Sequence, residues 1–243
     1  MKAIYLKELQ SFFSNLTGYL VIGVFLTLNG LFLWVFNTGY NILDFGFANL
    51  TPFFTIAPWI FIFLIPAISM RSFSEEKKQG TLELLLTKPI SQNQLVWGKY
   101  LGVLTISLMA ILPTTLYVFS IYQLGKTPGN ADFGALFTSY IGLVLLSATY
   151  AAISLFCSSI SKNQIMAFMA SVLLLFIFFV GLDNLEGIHL LGNQQYDLTY
   201  LGINYHYKSI SRGVIDTRDL IYFFSIIALF IFLTRNQIRK EIA

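Results

Sequence analysis

Six stretches of this chain stay apolar for long enough to cross a bilayer, and the polar residues fall almost entirely between them. The runs cover residues 17–36, 53–70, 100–122, 135–157, 165–182 and 219–234, each nearly free of charge. A hydrocarbon core about 30 Å thick needs roughly 20 such residues in an α-helix, so each run predicts one span. Ahead of the first span the pattern changes. Tyr5, Leu9, Phe12, Phe13 and Leu16 recur at three- and four-residue spacing, while Lys7, Gln10, Ser11 and Ser14 fall on the other face. That period predicts an amphipathic N-terminal helix lying in the membrane interface with its aromatics in lipid. A plain continuation of the first span is the alternative. The expected fold is an all-α integral membrane protein of six transmembrane helices, forming a single domain over residues 1–243.

The longest polar interruption among the first spans is 71–99, which holds eight of the chain's formal charges. At its centre stands a short apolar segment, Leu82-Glu83-Leu84-Leu85-Leu86. Gly80 is placed to end a helix carrying Glu75 to Gln79, and Thr81 to cap the next one. Leu82, Leu85 and Leu86 then share a face at i, i+3 and i+4, with Leu84 beside them, Glu83 opposite and Thr87 beyond. Pro89 stops the segment. Ser91 and Gln94 have the spacing of a capping box that opens the helix of the third span. The prediction is a two-turn helix, too short to cross a bilayer and too apolar to be left in water. Its plainest reading is an amphipathic turn resting on the membrane surface. Glu75 and Glu76, beside Lys77 and Lys78, read as a solvated helix face.

Composition agrees with the pattern. Of 243 residues 56% are hydrophobic and only 11% charged, with mean hydropathy +0.70, whereas soluble domains run near 25% charged. Location matters more than the net charge of +3. Eleven Lys and Arg fall on the side of the termini and the 71–99 loop, against four (Lys126, Lys208, Arg212, Arg218) on the other. The positive-inside rule therefore puts both termini and that loop in the cytoplasm. The first run is longer than a signal-peptide core and lacks a small-x-small cleavage site, so it reads as a retained helix. Pro66 and Pro113 remove backbone donors inside spans and predict kinks. Gly98-x-x-x-Gly102 fits the small-x-x-x-small packing pattern, a weak signal in membrane helices. Residues 183–218 form a semi-polar outer segment in which 188–191 and 198–203 are apolar enough to dip into the interface. Asp216-Thr217-Arg218-Asp219 reads as the capped start of the last helix.

The candidate chemistry is mostly notable for what it lacks. There is no G-x-x-x-x-G-K-[ST] phosphate loop, and the apolar runs hold no ionisable side chain in their interiors of the kind that proton- or ion-driven carriers use. His189 and His206 lack metal-ligand spacing, and the lone Cys157 lies in an apolar run as a small buried hydrophobe. No G-x-S-x-G elbow occurs. The chain is thus expected to be no enzyme, with no catalytic, cofactor or metal site of its own, and energy for any work must enter from outside. The bracketed leucine segment is the best place for it to enter, with the leucines filling a groove on another protein and Glu83 setting register.

The residues 76–90, EKKQGTLELLLTKPI, resemble the coupling-helix signature of type-2 ABC exporter permeases, and their place between the second and third of six spans matches that family. The N-terminal helix and the outer segment between spans five and six match as well. A narrower resemblance, carried by MKAIYLKEL at the amino terminus and YHYKSISRGVIDTRD at 205–219, is to gliding-motility-associated ABC permease subunits, the F subunit of the Gld system. The resemblance implies a bacterial inner-membrane permease, coupled through Gly80, Thr81, Leu82, Glu83, Leu84, Leu85, Leu86, Thr87 and Pro89 to a soluble dimeric ATPase. ATP and Mg would be held by that ATPase. A second permease subunit, identical or bearing a large external domain, and membrane lipid are the further implied partners, and no nucleic acid is. A non-transporting anchor or mechanical coupler of an ATPase, and a channel or carrier without one, remain open beside it.

Overall fold

The computed structural model describes residues 1–44, 49–86, 90–125, 132–185 and 198–241, with only the backbone of Thr17, Leu84, Leu86, Leu185 and Leu198. The helices are α1 (Lys2–Phe13), α2 (Leu16–Gly30), α3 (Thr51–Ser69), α4 (Arg71–Lys78), α5 (Thr81–Leu86), α6 (Gln92–Ile111), α7 (Thr115–Leu124), α8 (Phe133–Ile160), α9 (Gln164–Phe176), α10 (Ile203–Ser211) and α11 (Thr217–Lys240). Among the described residues six helical segments are long and apolar enough to cross a membrane: Gly18–Val35, Thr51–Lys78, Gln92–Leu124, Phe133–Ile160, Gln164–Gly181 and Thr217–Lys240. These are the six runs of the hydropathy pattern, with the second, third, fourth and sixth longer than expected. The second span continues through α4 into the charged loop, and the third begins eight residues earlier, at Gln92.

Local chemistry explains the ends. Ser91 Oγ accepts from the Gln94 amide and Gln94 Oε1 from the Ser91 amide, both at 3.3 Å, closing the expected capping box. Asp216 caps α11 by accepting from the Arg218 amide at 2.9 Å. Pro113 lies in a turn of 3₁₀ helix, Leu112–Thr114, that joins α6 to α7, as expected where a backbone donor is missing. Pro58 and Pro66 both lie within α3, which continues past them to Ser69. The first and fifth spans end in single turns of π-helix, Leu31–Val35 and Ile177–Gly181.

The bundle is organised around α8. Of its most apolar 18-residue window 78% is buried, against 22% for the first and fifth spans, which therefore lie at the periphery. Ala148, Ala151, Ala152, Ser147, Ser154 and Ser158 of α8 are all buried, and such small side chains let neighbouring helices approach closely where apolar driving force is absent. Helices α3, α4, α6, α9, α10 and α11 all pack on it.

The segment before the last span is more deeply packed than a semi-polar surface loop. Ile203, Tyr207 and Ile210 of α10 are buried, and Tyr207 donates to the Phe54 carbonyl at 2.7 Å. Burial pushes the Tyr207 hydroxyl up, so it remains a neutral donor. His206 is packed rather than solvated: its Nδ1 lies 2.7 Å from Asp219 Oδ1, its Nε2 2.9 Å from the Tyr200 carbonyl, and its ring stacks on Tyr222. A carbonyl only accepts, so Nε2 is the donor to Tyr200. Of the two fragments expected to dip inward, 198–203 opens α10 through a 3₁₀ turn, Leu198–Leu201, and 188–191 lies outside the described residues, as does His189.

Candidate functional site

The lysine that closes the charged loop is almost wholly buried. Lys99, on α6, is 1% exposed, and its ammonium lies against three oxygens. Glu8 Oε1 of α1 lies at 2.7 Å, Glu76 Oε2 of α4 at 2.9 Å, and the Ser72 carbonyl of α4 accepts a third contact. The Glu76 contact is a close ion pair set off the hydrogen-bonding direction. The Phe73 ring lies 5.0 Å from the same nitrogen, within range of a cation–π attraction. Glu76 Oε1 takes a further bond, 2.8 Å, from Lys7 of α1. Two lysines and two glutamates thus form a neutral network joining three helices. A buried charge is tolerated only when paired in this way.

The sequence places these groups together through face periodicity. Leu95, Lys99, Val103 and Ile106 are buried at three- and four-residue spacing on α6, and Ile65, Ser69, Ser72 and Glu76 on the second span. Helix α1 comes close because Gly98 and Gly102 present no side chain. A Cβ at Gly98 would lie 3.0 Å from Ile4 Cβ, and one at Gly102 2.9 Å from Glu8 Cβ. The weak small-x-x-x-small signal is thus the seat of α1. Tyr5 bonds Thr105 of α6 at 3.2 Å, and Leu9, Phe12 and Phe13 are partly buried against the core. The apolar face of α1, expected to lie in lipid, is turned instead largely onto the protein, because α6 offers it a groove.

A second set of contacts holds the α3–α4 junction to α8. Ser158 Oγ accepts from the amides of Phe73 and Ser74, at 3.1 and 3.3 Å, and donates to the Met70 carbonyl at 3.1 Å. One hydroxyl thereby satisfies three backbone groups left open where the second span changes course. Lys77 is buried too, with its ammonium on the Ser159 carbonyl and on Glu241 beyond α11. These contacts put the amino-terminal helix, α5 and the end of α11 at one end of the bundle, here called the terminal end. Reading Glu76 and Lys77 as a solvated face was wrong; only Lys78 and, partly, Glu75 fit it. Their partners Lys7, Lys99, Ser159 and Glu241 lie 23 to 164 residues away, beyond any local pattern.

Helix α5 hangs from this assembly. Gly80 has φ +68°, the left-handed conformation that lets α4 end in a tight reversal. Thr81 opens α5, and its hydroxyl donates back to the Glu76 carbonyl at 3.3 Å. Leu82 is buried in this chain's own core, Glu83 is exposed, and Leu85 is half-buried. Leu82, expected as an anchor for another protein, is therefore the anchor of α5 to its own bundle. The side chains of Leu84 and Leu86 are not described, and Thr87, Lys88 and Pro89 lie outside the described residues. A polar cavity of about 260 Å³ opens beside α5, lined by Lys77, Gly80, Leu82, Glu83, Lys162 and Glu241. Among the described residues, no group of three His, Cys, Asp or Glu stands close enough to hold a metal ion.

The family model for ABC-2 family transporter proteins matches residues 2–234. The chain belongs to the ABC-2 transporter family. The match runs from the first residue of α1 well into α11 and so reaches all six spans. None of the curated proteins compared with the chain matches it. As an ABC-2 permease the chain is the membrane-embedded component of a transporter and lacks nucleotide-binding and catalytic motifs. Membership in the family implies an ATPase partner in general.

Proposed function

We propose that this ABC-2 permease works in export and receives force from a soluble dimeric ATPase through Gly80, Thr81, Leu82, Glu83, Leu84, Leu85, Leu86, Thr87 and Pro89. The observation that carries this reading is the way α5 is held. It is fastened at one edge by Leu82 and by the Thr81 hydroxyl on α4, while Glu83 and part of Leu85 remain accessible. A push on α5 would pass directly into α4 and hence along the second span, which is continuous from Thr51 to Lys78. The Lys99 network would carry it on to α6 and α1. Nucleotide shifts such an equilibrium only if the ATPase grips α5 differently in its two states.

In the same reading the terminal end faces the cytoplasm of a bacterial cell, as the excess of Lys and Arg on that side favours. The resemblance of 1–9 and 205–219 to the F subunit of the Gld system supports an association with gliding motility. It also supports a second permease subunit, identical or with a large external domain, as partner. The decisive experiment is co-purification of the ATPase with wild type and with Leu85→Asp. Charge on a docking anchor costs roughly 2 kcal/mol or more, so the variant should lose the ATPase while keeping its own thermal stability. Full retention by a folded Leu85→Asp protein contradicts docking at α5.

A further inference from the structure

Two neighbouring cavities on the α2–α3 flank share part of their lining and differ sharply in character. The larger, about 650 Å³, is an apolar groove between α2 and α3, bounded by Val24, Leu28, Phe32, Trp59 and Phe63. The other, about 450 Å³, lies at the terminal end between α1, α2 and the α3–α4 junction, and is lined by Lys7, Arg71, Glu75, Glu76, Ser11 and Asn15 among others. Leu20, Val21 and Ala67 line both. From Leu20 to Phe32 the groove follows the first span for twelve residues, roughly 18 Å at ~1.5 Å per residue. Half of a bilayer core is roughly 15 Å. The groove therefore has the length of one leaflet, with a polar chamber at its mouth.

We propose that this pair of cavities binds one phospholipid with a zwitterionic headgroup, drawn from the leaflet at the terminal end. An acyl chain lies along α2 and α3, and the headgroup enters the chamber. Charge decides the headgroup class. Glu8 and Glu76 are matched by Lys99 and Lys7 within the network already described. That leaves Arg71 and Glu75, one turn apart on α4, which do not pair with each other. Among the described residues Arg71 has no ion-pair partner, and Glu75 accepts a side-chain hydrogen bond only from the Gln79 amide, at 3.4 Å. One free cation beside one free anion is the complement of a phosphate carrying a short ammonium arm. An anionic headgroup would satisfy Arg71 but stand against Glu75. A second copy of the chain covering the groove would bury its apolar wall while leaving the charged chamber unexplained.

The site does not depend on any ATPase, and its test uses the full chain alone. Delipidated protein in detergent is titrated with phosphatidylethanolamine or phosphatidylglycerol of matched acyl chains, and adducts are counted by native mass spectrometry. Wild type should retain phosphatidylethanolamine at least about tenfold better, the scale of one charge-assisted hydrogen bond. The double variant Arg71→Gln/Glu75→Gln should erase that preference with unchanged thermal stability, since both side chains reach solvent. In vesicles of phosphatidylethanolamine carrying a diazirine along one acyl chain, cross-links should fall on α2 and α3, and Val24→Trp should remove them. Equal retention of the two lipids, or cross-links absent from α2 and α3 in wild type, overturns the proposal. So does efficient disulfide formation between copies bearing Val24→Cys with lipid excluded.

Discussion

Lys99→Met is the substitution on which the account of the terminal end turns. Methionine keeps the apolar stem and removes the ammonium, so little cavity is created. What changes is charge: Glu8 and Glu76, whose side chains are 17% and 11% exposed, lose their common cation, and Glu76 keeps only Lys7. Breaking a buried pair by removing one partner costs about 3–5 kcal/mol. Glu8→Gln in the same background should relieve part of the repulsion, with a coupling of about 0.5–3 kcal/mol between the two sites. Lys208→Met serves as the control. Lys208 pairs with Asp183 at 3.0 Å, but its side chain is 52% exposed, and such a pair is worth about 1 kcal/mol at most. Unfolding by dodecyl sulfate in mixed micelles, followed by tryptophan fluorescence, measures wild type, these variants and the Glu8→Gln single variant that closes the cycle. If Lys99→Met costs no more than Lys208→Met, or if the Lys99 and Glu8 substitutions simply add, the buried network does not hold α1, α4 and α6 together.

Two further expectations concern packing and orientation. Gly102→Ala drives a Cβ to 2.9 Å from Glu8 and should destabilise by about 1–3 kcal/mol, as overpacking does; Gly23→Ala, with nothing within 4 Å of its added Cβ, should be neutral or stabilising by up to about 1 kcal/mol. Equal effects in the same unfolding assay would remove the case for α1 seating on α6. For orientation, a cysteine substituted at Gln79 should resist an impermeant thiol reagent added to intact cells, while one at Val214, 62% exposed beyond α10, should react. The reverse labelling pattern places the terminal end outside.

The spans, their caps and the glycine break ahead of α5 depend on neighbours a few residues apart, and all of these were legible in the chain itself. Runs of apolar residues, the Ser91–Gln94 box, Asp216 ahead of α11 and Gly80 after α4 need no partner from elsewhere, because their hydrogen bonds close within one turn. The leucine segment was equally visible, and so was the absence of a phosphate loop. What the tertiary structure alone decided was which polar residues leave water. Glu76 and Lys77 look like any solvated helix turn until Lys99, Lys7 and Glu241 are brought to them from remote positions. Leu82 looks like its neighbours until the bundle covers it, and α10 reads as loop until α8 and Phe54 receive Tyr207. Desolvation is the reason: whether a charge or a leucine is buried depends on what packs over it, and helix packing joins residues that the linear order keeps far apart.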